Sequence, residues 1–126
     1  MALTAVALVA LTAGCSKEAP GDVEMNDAHR FEPARLVVST GEKVTFANNS
    51  AEVHTVTAYE DGIPQGADYF ASGGAESEEK ARDNLDQGLL TEGETFSVTF
   101  ETPGTYRYFC IPHEQQGMKG TIVVKE

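Results

Sequence analysis

Cations are scarce in this sequence. Nine Lys and Arg stand against twenty Asp and Glu, giving a formal net charge of −11 and a pI near 4.6. Nucleic acid recognition needs a basic face, so an excess of carboxylates this large excludes nucleic acid as a partner. Two sources of the acidity stay open: a docking surface for basic partners, or general solvation in a salty habitat. Cysteine is scarce too. Only Cys15 and Cys110 occur, so no disulfide framework staples the chain, and 126 residues bury enough core for one domain without it. Cys15 ends a leader next to a polar spacer while Cys110 lies far downstream, so a bond between them is not expected. Long apolar runs are missing. The run from Ala2 to Ala13, about twelve residues, is too short for a bilayer span and suits the apolar region of a signal peptide.

Leu11-Thr-Ala-Gly-Cys15 closes that run and resembles a lipobox, with Thr12 three residues before the cysteine. The resemblance implies a lipoprotein signal peptide over 1–14 and lipidation of Cys15. Ser16 to Asp22 holds Lys, Glu, Pro and Gly with almost nothing to bury, so 15–22 is expected to be a lipidated, flexible tether. Residues 23–126 then form the folded domain.

From Val23 onward the pattern is that of short strands. Val23 and Met25 alternate with charges, and Phe31-Glu-Pro33 leads through a bend into Leu36-Val-Val-Ser39. Lys43-Val-Thr-Phe-Ala-Asn48 places Val44 and Phe46 on a core face, and Thr95 to Phe100 does the same for Phe96, Val98 and Phe100. Gly104 to Phe109 and Gly120 to Lys125 complete the set. The stretch Tyr59 to Glu92 departs from it: glycines and Pro64 break regular structure, and Tyr69 and Phe70 are expected to pin the loop to the core. Ser77 to Leu85 reads as one short surface helix, capped by Ser77, paired Glu78 to Arg82 at i,i+4, with a thin apolar face of Ala81 and Leu85. Seven or eight strands with one helical insertion predict an all-β Greek-key β-sandwich.

Chemistry concentrates between Tyr106 and Thr121. Within nine residues this stretch carries a thiol at Cys110, an imidazole at His113 and a thioether at Met118, where one strand pattern ends and the next begins. Pro112 ends ladder pairing after Cys110, and Gly117 and Gly120 are expected to let the backbone turn tightly. His54, in the alternating run Glu-Val-His-Thr-Val, reads as a strand end and supplies a second imidazole. Taken singly, a Cys is usually a small buried hydrophobe, a Met core filler and a His a packing residue. Together the four are the donor set of a blue-copper site. His29 precedes a strand in polar surroundings and reads as an exposed bystander.

The spacing of Cys110, His113 and Met118, with Gly104-Thr-Tyr before and Gly117-Met-Lys-Gly after, resembles the cupredoxins, specifically plastocyanins and halocyanins. Phe31-Glu-Pro, Leu36-Val-Val, Gly41-Glu-Lys-Val-Thr-Phe and Asn48 ahead of His54 extend the resemblance over about residues 22 to 126. It implies one mononuclear type 1 copper held by His54, Cys110 and His113, with Met118 as the long axial ligand. It also implies an exposed His113 edge for electron passage, ringed by Ile111, Pro112, Gly117 and Met118. Many relatives carry Asn after the first His; Thr55 stands here and offers a hydroxyl of shorter reach for the same hydrogen bonds.

The expected function is electron transfer between membrane-associated redox partners at the extracytoplasmic face of the cell membrane, by a monomer anchored through lipid, with no enzymatic activity. Donor and acceptor are unnamed redox proteins. Phe109 and Ile111 flank Cys110 where a multicopper oxidase carries His, the loop lacks a second Cys for a dinuclear centre, and His29 alone cannot build a second catalytic copper. A copper-binding or delivery lipoprotein without redox turnover is the alternative. Delivery sites favour many exposed His and Met, and only three of each occur.

Overall fold

The computed structural model describes residues 21–126. The leader over 1–14, Cys15 and the tether as far as residue 20 lie outside the described residues. Among the described residues eight strands run β1 (Val23–Met25), β2 (Phe31–Glu32), β3 (Arg35–Ser39), β4 (Lys43–Asn48), β5 (Thr57–Ala58), β6 (Thr95–Thr99), β7 (Gly104–Phe109) and β8 (Lys119–Lys125). They form two four-stranded sheets, ordered β2-β1-β4-β6 and β3-β8-β7-β5. β1 pairs with β4 and β3 with β8 in parallel, so chain neighbours are often not sheet neighbours. This is the expected all-β sandwich.

Alternation builds its core. Gly120, Ile122 and Val124 of β8, Val44 and Phe46 of β4, and Val23 and Met25 of β1 point inward. Tyr108 of β7 sits at the centre, its ring meeting Phe31 edge-on at 4.7 Å and Phe46 at 5.3 Å between centroids. Each fully buried ring of this kind contributes on the order of 2 kcal/mol of transfer free energy. Phe100, past the end of β6, is buried against Tyr106 and Phe70. Phe96 and Val98 differ from expectation: they are only half-buried, because β6 is an edge strand with one flank in solvent.

The insertion between β5 and β6 also departs in detail. Its helical part is two pieces, α1 (Glu78–Asp83) and α2 (Leu85–Gly88), broken at Asn84, whose side chain bonds the Lys80 carbonyl. Ser77 caps α1 by accepting from the Lys80 amide at 3.1 Å, and Arg82 bonds Glu78, both as expected. Leu85 does not extend the buried face, which within α1 is Ala81 alone. Phe70 is buried and Tyr69 donates to the Ala58 carbonyl, pinning the loop. No helix among the described residues is long and apolar enough to cross a membrane.

Candidate metal centre

Cys110 follows directly on β7 and opens a 3₁₀ turn, Ile111–Gln116, that carries His113. The turn ends at Gly117, whose φ of 84° is left-handed and costs glycine little. The chain then doubles back. The Cys110 amide donates to the Met118 carbonyl, and the Met118 amide donates to the His113 carbonyl. Three donor residues are thereby interleaved within one closed loop. Gly120 has a different role from the tight turn expected of it. It lies in β8 against the ring of Tyr108, where a Cβ would fall 2.3 Å from the phenol.

His54 reaches this loop from outside any strand. Among the described residues its backbone pairs with Leu90, in an isolated bridge whose two amide bonds measure 3.1 and 2.7 Å. Asn48, fully buried, staples the two segments by donating to the carbonyls of Glu52 and Leu90. The strand end expected at His54 is therefore a bridge to the exit of the insertion.

The three donors converge. His54 Nδ1 lies 3.2 Å from His113 Nδ1 and 3.7 Å from Cys110 Sγ, and His113 Nδ1 lies 3.4 Å from that sulfur. An ion with bonds of about 2.0 Å to nitrogen and about 2.3 Å to sulfur holds trigonal donors roughly 3.5 Å apart, so the triangle fits a first-row metal. Burial raises the Cys110 thiol while amide hydrogen bonds oppose that, notably one from Thr55 at 3.4 Å. His54 is lowered to about 4, first by desolvation and then by the neighbouring His113. Its ring is therefore neutral, as a ligand must be. His54 Nε2 has no hydrogen-bond partner among the described residues. Met118 is fully buried in the same core cluster as Cys110.

Thr55 supports the cage as its hydroxyl allows. Its Oγ1 accepts from the Ile111 amide at 2.8 Å, tying the loop beside Cys110 to the segment of His54. A second outer contact comes from His29. His29 is no bystander: its ring stacks on His113 at 4.0 Å and 11°, and its Nε2 bonds Glu52, whose carboxylate also lies 3.5 Å from His113 Nε2. His113 keeps 14% of its side chain exposed beside these two neighbours. Of the rim expected around it, Ile111 and Pro112 are half-buried and Gly117 is exposed, but Met118 is fully buried and takes no part. His29, Glu52 and His113 do not form a second metal site. Imidazole lone pairs lie in the ring plane, and two stacked, near-parallel rings cannot aim at one ion.

A β-sandwich presenting His, Cys, His and Met at one end defines a cupredoxin. Residues 18–125 match the family described as copper binding proteins, plastocyanin/azurin family. The plastocyanin of Scenedesmus fuscus is 39% identical over 95 residues, covering 75% of this chain and 86% of that protein. The chloroplastic plastocyanin of Physcomitrium patens is 40% identical over 95 residues, 75% of this chain and 49% of that one, so the chain spans about half of that longer relative. Among solved structures, oxidized plastocyanin from Dryopteris crassirhizoma superposes with a TM-score of 0.60 at 36% identity, covering 82% of this chain and 98% of that one. The chain belongs to the plastocyanin/azurin family of copper-binding proteins, and its site is that of a single type 1 copper.

Proposed function

We propose that the protein is a small blue-copper electron carrier that passes single electrons between membrane-associated redox proteins, with Met118 as the weak axial ligand. The observation that carries this reading is the closed donor triangle. His54 and Cys110 are fully buried and only His113 keeps part of its side chain, 14%, exposed, which leaves little room at the donors for a substrate. Bound copper would supply a one-electron couple, the thiolate favouring Cu(I) and the imidazoles accepting Cu(II). The chain's own residues keep the cage dry and stiff. Thr55 holds the loop and donates its amide to the sulfur, while Asn48 fixes the segment of His54. Such outer contacts tune a metal site and limit rearrangement between oxidation states.

Partners dock at the end of the sandwich that carries His29, Glu52, His113 and the exposed Val53. The excess of carboxylates selects a cationic partner. The protein works as a monomer at the extracytoplasmic membrane face, tethered by lipid on Cys15. Mass spectrometry of the membrane-extracted protein checks the anchor: a diacylated N-terminal Cys15 supports it, and an unmodified chain beginning elsewhere contradicts it.

A redox titration of the copper-loaded chain tests the carrier reading. One reversible electron per protein, with copper retained in both states in the presence of a Cu(I) chelator, is the expected result. Copper that leaves on reduction contradicts it and supports delivery.

A further inference from the structure

The insertion does more than cover an edge of the sandwich. Helix α1 buries only Ala81, too little apolar surface to seat six residues. Its first turn exchanges hydrogen bonds with Glu60, whose amide donates to the Glu78 carboxylate at 3.0 Å and whose carboxylate accepts from the Glu78 amide at 3.3 Å, and its contact with the ligand loop is Arg82. The guanidinium forks onto Glu114, Nη1 to Oε1 at 2.9 Å and Nη2 to Oε2 at 3.1 Å, while Nε holds Glu78 of its own helix at 2.9 Å. It also lies over the ring of Phe109, 4.4 Å from the centroid. Tyr59 stacks on that ring at 4.2 Å and donates to Glu114 at 2.7 Å. Both oxygens of Glu114 are therefore committed. Glu114 is the residue after His113, and its carbonyl accepts from Gly117 to start the turn back to Met118.

We propose that α1 is a brace, and that Arg82 is a positioning residue that presets the ligand loop through Glu114 before metal arrives. A half-exposed ion pair alone holds little. A bidentate fork reinforced by a phenol and an aromatic face fixes one geometry, and that geometry belongs to the stretch between two donors. The cage then closes on copper without first having to order its loop. This rests on reading His113 and Met118 as ligands.

The test uses the full chain, first without metal. Amide hydrogen exchange is followed at Gly117 and Met118, whose amides close the loop, and at Ala81 in α1 and Asn84 at its C-terminal cap. Arg82→Ala and Glu114→Gln are expected to speed exchange at Gly117 and Met118 roughly tenfold, with β4 and β6 unchanged. Arg82→Lys keeps the charge but cannot fork, and is expected to restore only part of the protection. In the copper-loaded protein the same variants are expected to shift the visible band and release copper faster to a chelator. Faster exchange in α1 with an unchanged loop would overturn the proposal, leaving Arg82 as a tether of the helix alone. Should Arg82→Ala unfold, Glu114→Gln decides the question from the loop side, where α1 keeps its own bond to Glu78. A wild-type chain that fails to bind copper while the exchange result holds would instead refute the metal reading.

Discussion

Replacing Thr55 by Val removes an oxygen and keeps the shape. The part-buried Ile111 amide then loses its acceptor and the buried Thr57 hydroxyl its partner, and an orphaned buried polar group costs about 1–3 kcal/mol. Urea denaturation of the metal-free protein is expected to show that loss for Thr55→Val and recovery in Thr55→Ser; equal stability of all three would mean the bond holds nothing. His54 predicts a pH dependence of the same metal-free protein. Burial depresses its pKa from 6.5 to about 4, so the unfolded chain binds the proton more readily. Stability is therefore full above 6.5 and falls as pH drops from there toward about 4. A flat urea midpoint across that window, or a slope that persists undiminished in His54→Gln, contradicts this. At this scale the donors are legible because the residue types are rare and three of them share one loop. The stack of His29 on His113 is not. It depends on a left-handed residue, with φ of 57°, in the turn Asn26 to Arg30 at the same end of the sandwich, and nothing local in Asp27-Ala28-His29-Arg30 encodes that meeting.

The strands show why period-two patterns are reliable where both neighbours are present and weaker at an edge. β4 and β8 bury the residues their alternation selects, whereas β6 has the same pattern and leaves Phe96 and Val98 half in water. Edge position is a property of topology that a single strand's residues do not carry. Gly120 tests the packing between elements. Any side chain there meets the ring of Tyr108, so Gly120→Ala is expected to cost about 1–3 kcal/mol by overpacking. Gly117→Ala meets open space and carries only the strain of a left-handed residue, about 1 kcal/mol. Thermal unfolding of the two variants should rank them in that order; the reverse order would place the constraint in the loop. The break at Asn84 escapes sequence reading because the helical pattern runs through it, and the Asn84 side chain bonding back to Lys80 is a local competition that propensity does not resolve.

For the molecule as a whole, a net charge of −11 acts at long range. Reduction of the copper-loaded protein by the cationic complex hexaammineruthenium(II) is expected to slow steeply as ionic strength rises from 0.01 to 0.15 M, where the screening length falls from about 30 to about 8 Å. A rate indifferent to salt would leave the acidity as solvation only. The outcome separates the two readings that composition leaves open. The central claim, a type 1 copper at His54, Cys110, His113 and Met118, is tested most directly by visible absorption of the chain titrated with Cu(II), beside Cys110→Ser. An intense band at about 600 nm, rising to one copper per chain and absent from the variant, is the predicted result. A wild-type protein that binds copper without that band, or a variant that keeps it, would contradict the assignment of Cys110 as the ligand around which the site is built.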